Sequence, residues 1–284
     1  MTGIRAGNRG LERLWSSLVW GVMGFFLINV GGVIATVVVS SFGTRWFGSW
    51  LPQGFTTRWY GSAWDEFQLD YLLIVTMEVT LTVVVVSILL GLPAAYALAR
   101  RDFAAKRWVL LLFLLPLLVP PITYGIPLAT VLYRLHVGGT MLGVILSNLV
   151  PAVPFVVLTM TPFIEQIDPR LEAAARVFGA GTLRTFIHVL VPLLAPGMLA
   201  AALLVLVRTL ALFELTFLTA GPDSQTLVVA LYYSVFAAGV RATQSVDAMA
   251  VIYMVTTLFW LLIALRFVDP TQLVTRVKDQ RASR

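Results

Sequence analysis

The feature that most restricts this chain is its succession of apolar segments, each about as long as a bilayer is thick. A helix needs ~20 mostly apolar residues to cross the hydrocarbon core. Leu18 to Val39 meets this with no charge, and Tyr71 to Leu98 is interrupted only by Glu78. Trp108 to Leu132 and Gly139 to Ile164 carry no charge. Pro196 to Leu218 holds Arg208 and Glu214, and Ala248 to Phe267 ends at Arg266. With 59% hydrophobic and 12% charged residues, the chain lacks the polar surface that a soluble globule needs. It also lacks the polarity and charge of a disordered chain. Leu18 to Val39 is too long for a signal-peptide core and has no cleavage signal, so it counts as a helix. The expectation is an all-α polytopic membrane protein with six transmembrane helices.

Charge orients those helices. Arg5, Arg9 and Arg13 precede the first span, and Arg100, Arg101, Lys106 and Arg107 separate the second from the third. Arg170, Arg176 and Arg184 lie between the fourth and fifth, and Arg266, Arg276, Lys278, Arg281 and Arg284 follow the sixth. Fifteen of the twenty Lys and Arg residues thus share one side. Lys and Arg collect in cytoplasmic loops, so both termini are expected in the cytoplasm. The net charge of +6 follows from this and not from a nucleic-acid surface. Thr226 to Val240 is apolar but short, and a seventh span there would carry the basic tail outside, so it is read as interfacial or re-entrant. The external segment Ser40 to Asp70 contains Trp46, Trp50, Trp59, Tyr60 and Trp64, which read as an interfacial belt, with ligand contact as the other reading. Cysteine is absent, which excludes disulfides and thiolate sites. His136 and His188 are too distant in sequence to suggest a metal motif.

The one long, patterned cytoplasmic loop is Glu165 to Pro192. Asp168 followed by Pro169 is a helix start, with Asp as cap and Pro at the first helical position. Arg170 to Phe178 favours helix, and Gly179 supplies the left-handed residue that closes it. Thr182 is expected to cap a second helix that runs toward Pro192. Leu171, Ala175 and Phe178 fall on one face of the first.

These residues resemble a known family. Asp168, Pro169, Leu171, Glu172, Ala174, Ala175, Gly179 and Ala180, with Leu190 and Pro192 following, look like the EAA loop of ABC importer permeases. The likeness runs from about Leu72 to Phe267, the whole MetI-like domain of type I importers. Counting back from Gly179, the motif's Glu position falls on Ala173; Glu172 stands one residue earlier, where relatives often carry a Glu. The resemblance implies a transport subunit that performs no covalent chemistry. It implies a second permease subunit, identical or homologous, an ATPase dimer, and a periplasmic or lipid-anchored substrate-binding protein. In such systems the loop, here Asp168 to Gly179 with Phe178 and Pro192, lies in a groove of the ATPase, whose closure on ATP tilts the permease helices. No G-x-x-x-x-G-K-[ST] occurs in this chain, so no cofactor is expected on it and ATP is expected on the partner. The location implied is a bacterial inner membrane. Residues 1–70 are read as an N-terminal helix and external segment, 71–267 as the permease domain with the coupling loop at about 165–192, and 268–284 as a basic tail.

Charges inside spans are costly and usually face a pathway or a partner. Glu78, Arg208 and Glu214 are therefore candidates for the translocation path. On one continuous helix Arg208 and Glu214 are poorly placed to pair, whereas Arg208 could pair with Glu78 on a neighbouring helix; a path and a structural ion pair remain open. Prolines 116, 120, 121, 127, 151 and 154 in the third and fourth spans suggest kinks, either around a cavity or for packing. Gly54 to Tyr60 and Pro154 to Leu158 resemble polyamine-type permeases, whereas Ser224 to Leu227 is closer to sugar-type ones. A polyamine-like cation is the first expectation and a sugar or polyol the second. A secondary transporter would show internal repeats, and an intramembrane enzyme would show facing nucleophiles, acids or metal ligands. Neither pattern is present in the sequence.

Overall fold

The structure is a computed structural model describing residues 4–44, 46, 51–236 and 242–267, with side chains from Trp15 onward. The side chains of Arg5, Arg9 and Arg13, and Arg45, Trp50, Arg241 and the tail 268–284 lie outside the described residues. Apart from one isolated bridge between Gly43 and Phe55, every element among the described residues is helical. The chain divides into two units, Met1–Glu66 with Ala237–Ile252, and Phe67–Phe236 with Tyr253–Arg284.

The first unit holds α1 (Ile4–Phe42), most of α2 (Arg58–Phe67) and the start of α12 (Thr243–Phe267). Two backbone bonds return the chain to the end of α1: Thr44 N–H to the Gly54 carbonyl at 2.9 Å and Thr56 N–H to the Phe42 carbonyl at 2.7 Å. Trp59 donates its indole N–H to the Gly43 carbonyl at 2.8 Å, and Tyr60 OH bonds Ser41 Oγ at 2.8 Å. Two of the aromatics expected in a belt therefore also fasten α2 to the end of α1. Ser40 Oγ donates to Asp247 Oδ2 at 2.5 Å, tying α1 to α12 within this unit.

The second unit is built around α3 (Leu69–Arg100) and α6 (Met141–Glu165). Leu72, Val75, Thr76, Val79, Thr80, Val83, Ser87 and Gly91 form the buried stripe of α3, at the three- and four-residue steps of a helix face. They meet Val144, Val156 and Met160 of α6. The helices cross closely at Gly91, where a Cβ would lie 2.7 Å from Val156 Cγ1. Gly91→Ala is expected to destabilise the protein by about 1–3 kcal/mol through overpacking. Thermal unfolding in detergent measures this, and an unchanged midpoint would show that the crossing has slack. α9 (Val191–Ala211) covers both helices, and α10 (Phe213–Thr219) lies on α6. There Ser147 Oγ and Thr219 Oγ1 are 3.0 Å apart and Asn148 Nδ2 donates to Thr216 Oγ1 at 3.1 Å. Small hydroxyl and amide side chains of this kind hold helices together in membranes. α11 (Leu227–Phe236) joins α3 through Leu227 N–H and Thr76 Oγ1 at 2.9 Å.

Five described helical stretches are long and apolar enough to cross a membrane: Trp15–Phe42, Leu69–Arg100, Met141–Glu165, Thr182–Ala211 and Thr243–Arg266. A sixth crossing is available only as a broken pair. The expected helix from Trp108 to Leu132 is two helices, α4 (Lys106–Leu118) and α5 (Pro121–Arg134), meeting at 100°. The cause is Pro120–Pro121: each proline forces the residue before it out of helical geometry, and Val119 (ψ 135°) and Pro120 (ψ 132°) are both extended. The short apolar run expected from Thr226 to Val240 is helical from Leu227 to Phe236, ten residues that are too few to span; its last four residues are outside the described set.

The fifth span also differs from expectation. Its helix begins before Pro196 and stops at Ala211; Leu212 is extended and a separate helix α10 carries Glu214. No proline or glycine marks this break. Phe213 and Phe217 of α10 join Tyr232 of α11 at ring separations of 4.9–5.2 Å, so tertiary packing of aromatics turns the chain.

Candidate functional site

The segment 165–192 folds as a helix, a tight turn and a second helix. Asp168 caps α7 (Pro169–Val177) by accepting the Arg170 N–H at 2.9 Å, with Pro169 in the first turn. At its other end Ala180 N–H bonds the Ala175 carbonyl at 3.0 Å and Gly179 N–H the Arg176 carbonyl at 2.9 Å. That pair of bonds is a Schellman closure, and it requires the positive φ of 83° that Gly179 adopts. A Cβ on Gly179 would meet nothing within 4 Å, so the space outside the turn is open. The second helix, α8 (Thr182–Thr185), is capped by Gly181 and not by Thr182, whose side chain makes no cap bond. It continues through a π-helical turn, Phe186–Leu190, into α9. The widened turn sits before Pro192, which has no N–H for the His188 carbonyl; the Val191 N–H reaches back instead to Phe186.

Two faces of α7 differ. Val177 and Phe178 are 84% and 90% exposed, and Leu171, Ala174, Leu183 and Pro192 are also exposed. Ala175, expected on that face, is half-buried. The opposite face carries Glu172, only 2% exposed. Its Oε1 accepts Arg100 Nε at 2.7 Å and its Oε2 accepts the Tyr96 OH at 2.7 Å, while Arg176 Nη2 lies 3.8 Å away. Arg100 also donates from Nη2 to the Ile167 carbonyl at 2.7 Å. The Tyr96 ring packs edge-on against Phe186, centroids 5.3 Å apart. Sequence reasoning placed Glu172 in the motif but missed Tyr96 and Arg100, which stand far away in sequence.

The candidate path residues do not converge. Glu78 is exposed on α3 and has no partner among the described residues, so the Arg208–Glu78 pair left open by the sequence does not form. Arg208 lies on α9 with its guanidinium 5.5 Å from the Phe155 ring centre. It lines an open cleft of about 350 Å³ with Phe155, Leu204, Val207, Ala211 and Leu261. It also lines a smaller space of about 10 Å³ beside Asn148, Pro151 and Thr209. Asn148 Oδ1 there is buried without a hydrogen-bond partner among the described residues. Glu214 lines neither space. No group of residues able to hold a metal ion is present among the described residues.

Residues 87–273 match the family described as binding-protein-dependent transport system inner membrane component. The chain is 34% identical over 177 residues to the molybdenum transport system permease protein ModB of Haemophilus influenzae, covering 55% of this chain and 77% of that protein. It is 36% identical over 135 residues to the trehalose transport system permease protein SugB of Mycobacterium tuberculosis, covering 48% of this chain and 49% of that one. In fold it is similar to a chain of a bacterial ABC transporter involved in import of the acidic polysaccharide alginate, with TM-score 0.75, 18% identity and coverage of 91% and 98%.

Proposed function

The chain belongs to the family of binding-protein-dependent transport system inner membrane components, and from that premise we propose that it forms half of the translocation path of an ATP-driven importer, coupled to a separate ATPase through residues 165–192. The observation that carries this is the apolar tip of the segment. Val177, Phe178 and Leu183 are exposed around an open glycine turn, in a form suited to insertion into a groove of another subunit. The remaining parts of the reading follow: a second permease subunit, a binding protein that delivers solute to the opposite face, ATP held by the partner, and both termini in the cytoplasm. Residues 71–267 are the permease domain on this reading.

For the solute we propose a sugar or polyol. A polyamine-like cation, the first expectation from sequence, finds less support. The charged side chain lining both spaces is a cation, Arg208, while Glu78 and Glu214 line neither. Trehalose is named for one relative, molybdenum for another, and polyamines for neither. Co-purification in mild detergent tests the assembly: the tagged chain is expected to bring down an ATPase and a second permease. A chain that purifies alone under every gentle condition overturns the importer reading. The binding protein from the same operon or extract is then screened against disaccharides, polyols and polyamines by thermal shift.

Arg208 tests the path. Arg208→Met is expected to lower uptake about tenfold, a loss of ~1.4 kcal/mol of interaction with the solute or its water, with assembly intact. Unchanged uptake would confine Arg208 to packing on Phe155.

A further inference from the structure

The contacts around Glu172 do more than bury a charge. Tyr96 and Arg100 stand one helical turn apart at the end of α3, so their side chains leave the same face. Between them they hold the 165–192 segment at three places. Arg100 takes the Ile167 carbonyl at its entry and Glu172 in its middle, and Tyr96 takes Glu172 and the ring of Phe186 at its exit. The backbone of α7 packs on α8 and the π-helical turn, and these side chains tie α7 to α3. The Arg100 and Glu172 side chains are 14% and 3% exposed, so little water competes for the bonds. A buried ion pair of this kind is no better for stability than an apolar pair of the same size. Its distinctive property is geometric: charged, forked and short contacts fix one arrangement.

We propose that Tyr96, Arg100 and Glu172 are positioning residues that form a clasp transmitting the displacement of α7 to α3. This rests on the reading that an ATPase pushes the segment. A push on the exposed face at Phe178 meets a segment that cannot slide on α3 while the clasp holds. The end of α3 therefore moves with it, and α3 is the helix that packs along α6. The glutamate that faces inward thereby has a different task from a glutamate that would face the ATPase.

The test uses the full complex, with wild-type and variant chains reconstituted in liposomes beside the ATPase, the second permease and the binding protein. Three quantities are read: ATPase recovered on the tagged chain, ATP hydrolysed, and solute imported per ATP. Tyr96→Phe removes one hydrogen bond to the carboxylate and keeps the ion pair. It is expected to leave ATPase recovery and hydrolysis within about twofold and to lower solute per ATP about tenfold, since one bond to a charged group is at stake. Arg100→Glu and Glu172→Arg alone place like charges together and abolish uptake, and the double exchange is expected to restore at least a tenth of it. Tyr96→Phe with unchanged solute per ATP overturns the clasp. So does a loss of ATPase recovery in proportion to uptake, because the residues would then act through docking. A double exchange that assembles and stays inactive overturns it as well. Failure of the importer reading is distinguishable, because it shows in the wild-type lane as a chain that recovers no ATPase.

Discussion

Arg100→Met is expected to release the 165–192 segment from α3 and to abolish uptake. Without the guanidinium, Glu172 keeps the Tyr96 hydroxyl and a distant Arg176, while the Ile167 carbonyl loses its donor. Breaking a buried pair from one side leaves an uncompensated charge, at a cost of about 3–5 kcal/mol. Both side chains are well under one-third exposed, so solvent screening does not much reduce that figure. Limited trypsin digestion of the purified chain measures it: Arg170, Arg176 and Arg184 become cleavable at least tenfold faster in the variant. The double variant Arg100→Met/Glu172→Met removes both charges and is expected to regain most of the protection, yet not the uptake. If the single variant digests at the wild-type rate, the pair does not hold the segment.

Gly179→Trp carries the second large effect, and its size comes from two sources that can be separated. Most L-residues, Trp among them, are strained at the left-handed φ of 83°, costing about 1–2 kcal/mol. A Cβ at this position meets no described atom within 4 Å, so the indole has room to enter the space where the proposed partner would dock. Gly179→Asn is the control, since Asn tolerates the left-handed region with little strain. The expected order is a loss of two- to threefold in ATPase recovery for Asn and of about 100-fold for Trp, the latter equivalent to ~2.7 kcal/mol of docking energy. Pull-down with the ATPase at graded concentrations gives both numbers. Equal losses in the two variants would mean that the turn matters only for its conformation.

The parts of the site that could be read from sequence are those with local causes. Asp168–Pro169 and Gly179 define a helix between them because capping and left-handed closure are decided within four residues, and the structure shows both bonds. The apolar lengths gave the membrane helices for the same reason. Other features depend on groups that meet only after folding. Arg100 looked like one more positive charge of a cytoplasmic loop, yet 72 residues later Glu172 turns it into an anchor. Glu214 looked like part of a span with Arg208, but the rings of Phe213, Phe217 and Tyr232 end that helix at Ala211 without any local breaker. Pro120–Pro121 did carry a visible signal, although a bend of 100° exceeds an ordinary proline kink.

That bend has a consequence for the membrane's electrical insulation. Pro120 and Pro121 have no N–H, so the carbonyls of Pro116 and Leu117 lose their helical partners. Tyr124 OH reaches Pro116 at 3.4 Å, a weak replacement, and the Leu117 carbonyl has no replacement among the described residues. A bare carbonyl in hydrocarbon costs several kcal/mol, so this stretch of backbone belongs where water or a neighbouring subunit can reach it. On the proposed reading, a translocation path that lets water reach this stretch also invites protons and ions down the membrane potential. The closed face of the resting protein then has to act as a dielectric seal, and the tightness of that seal sets how much proton-motive force the cell loses through an idle carrier.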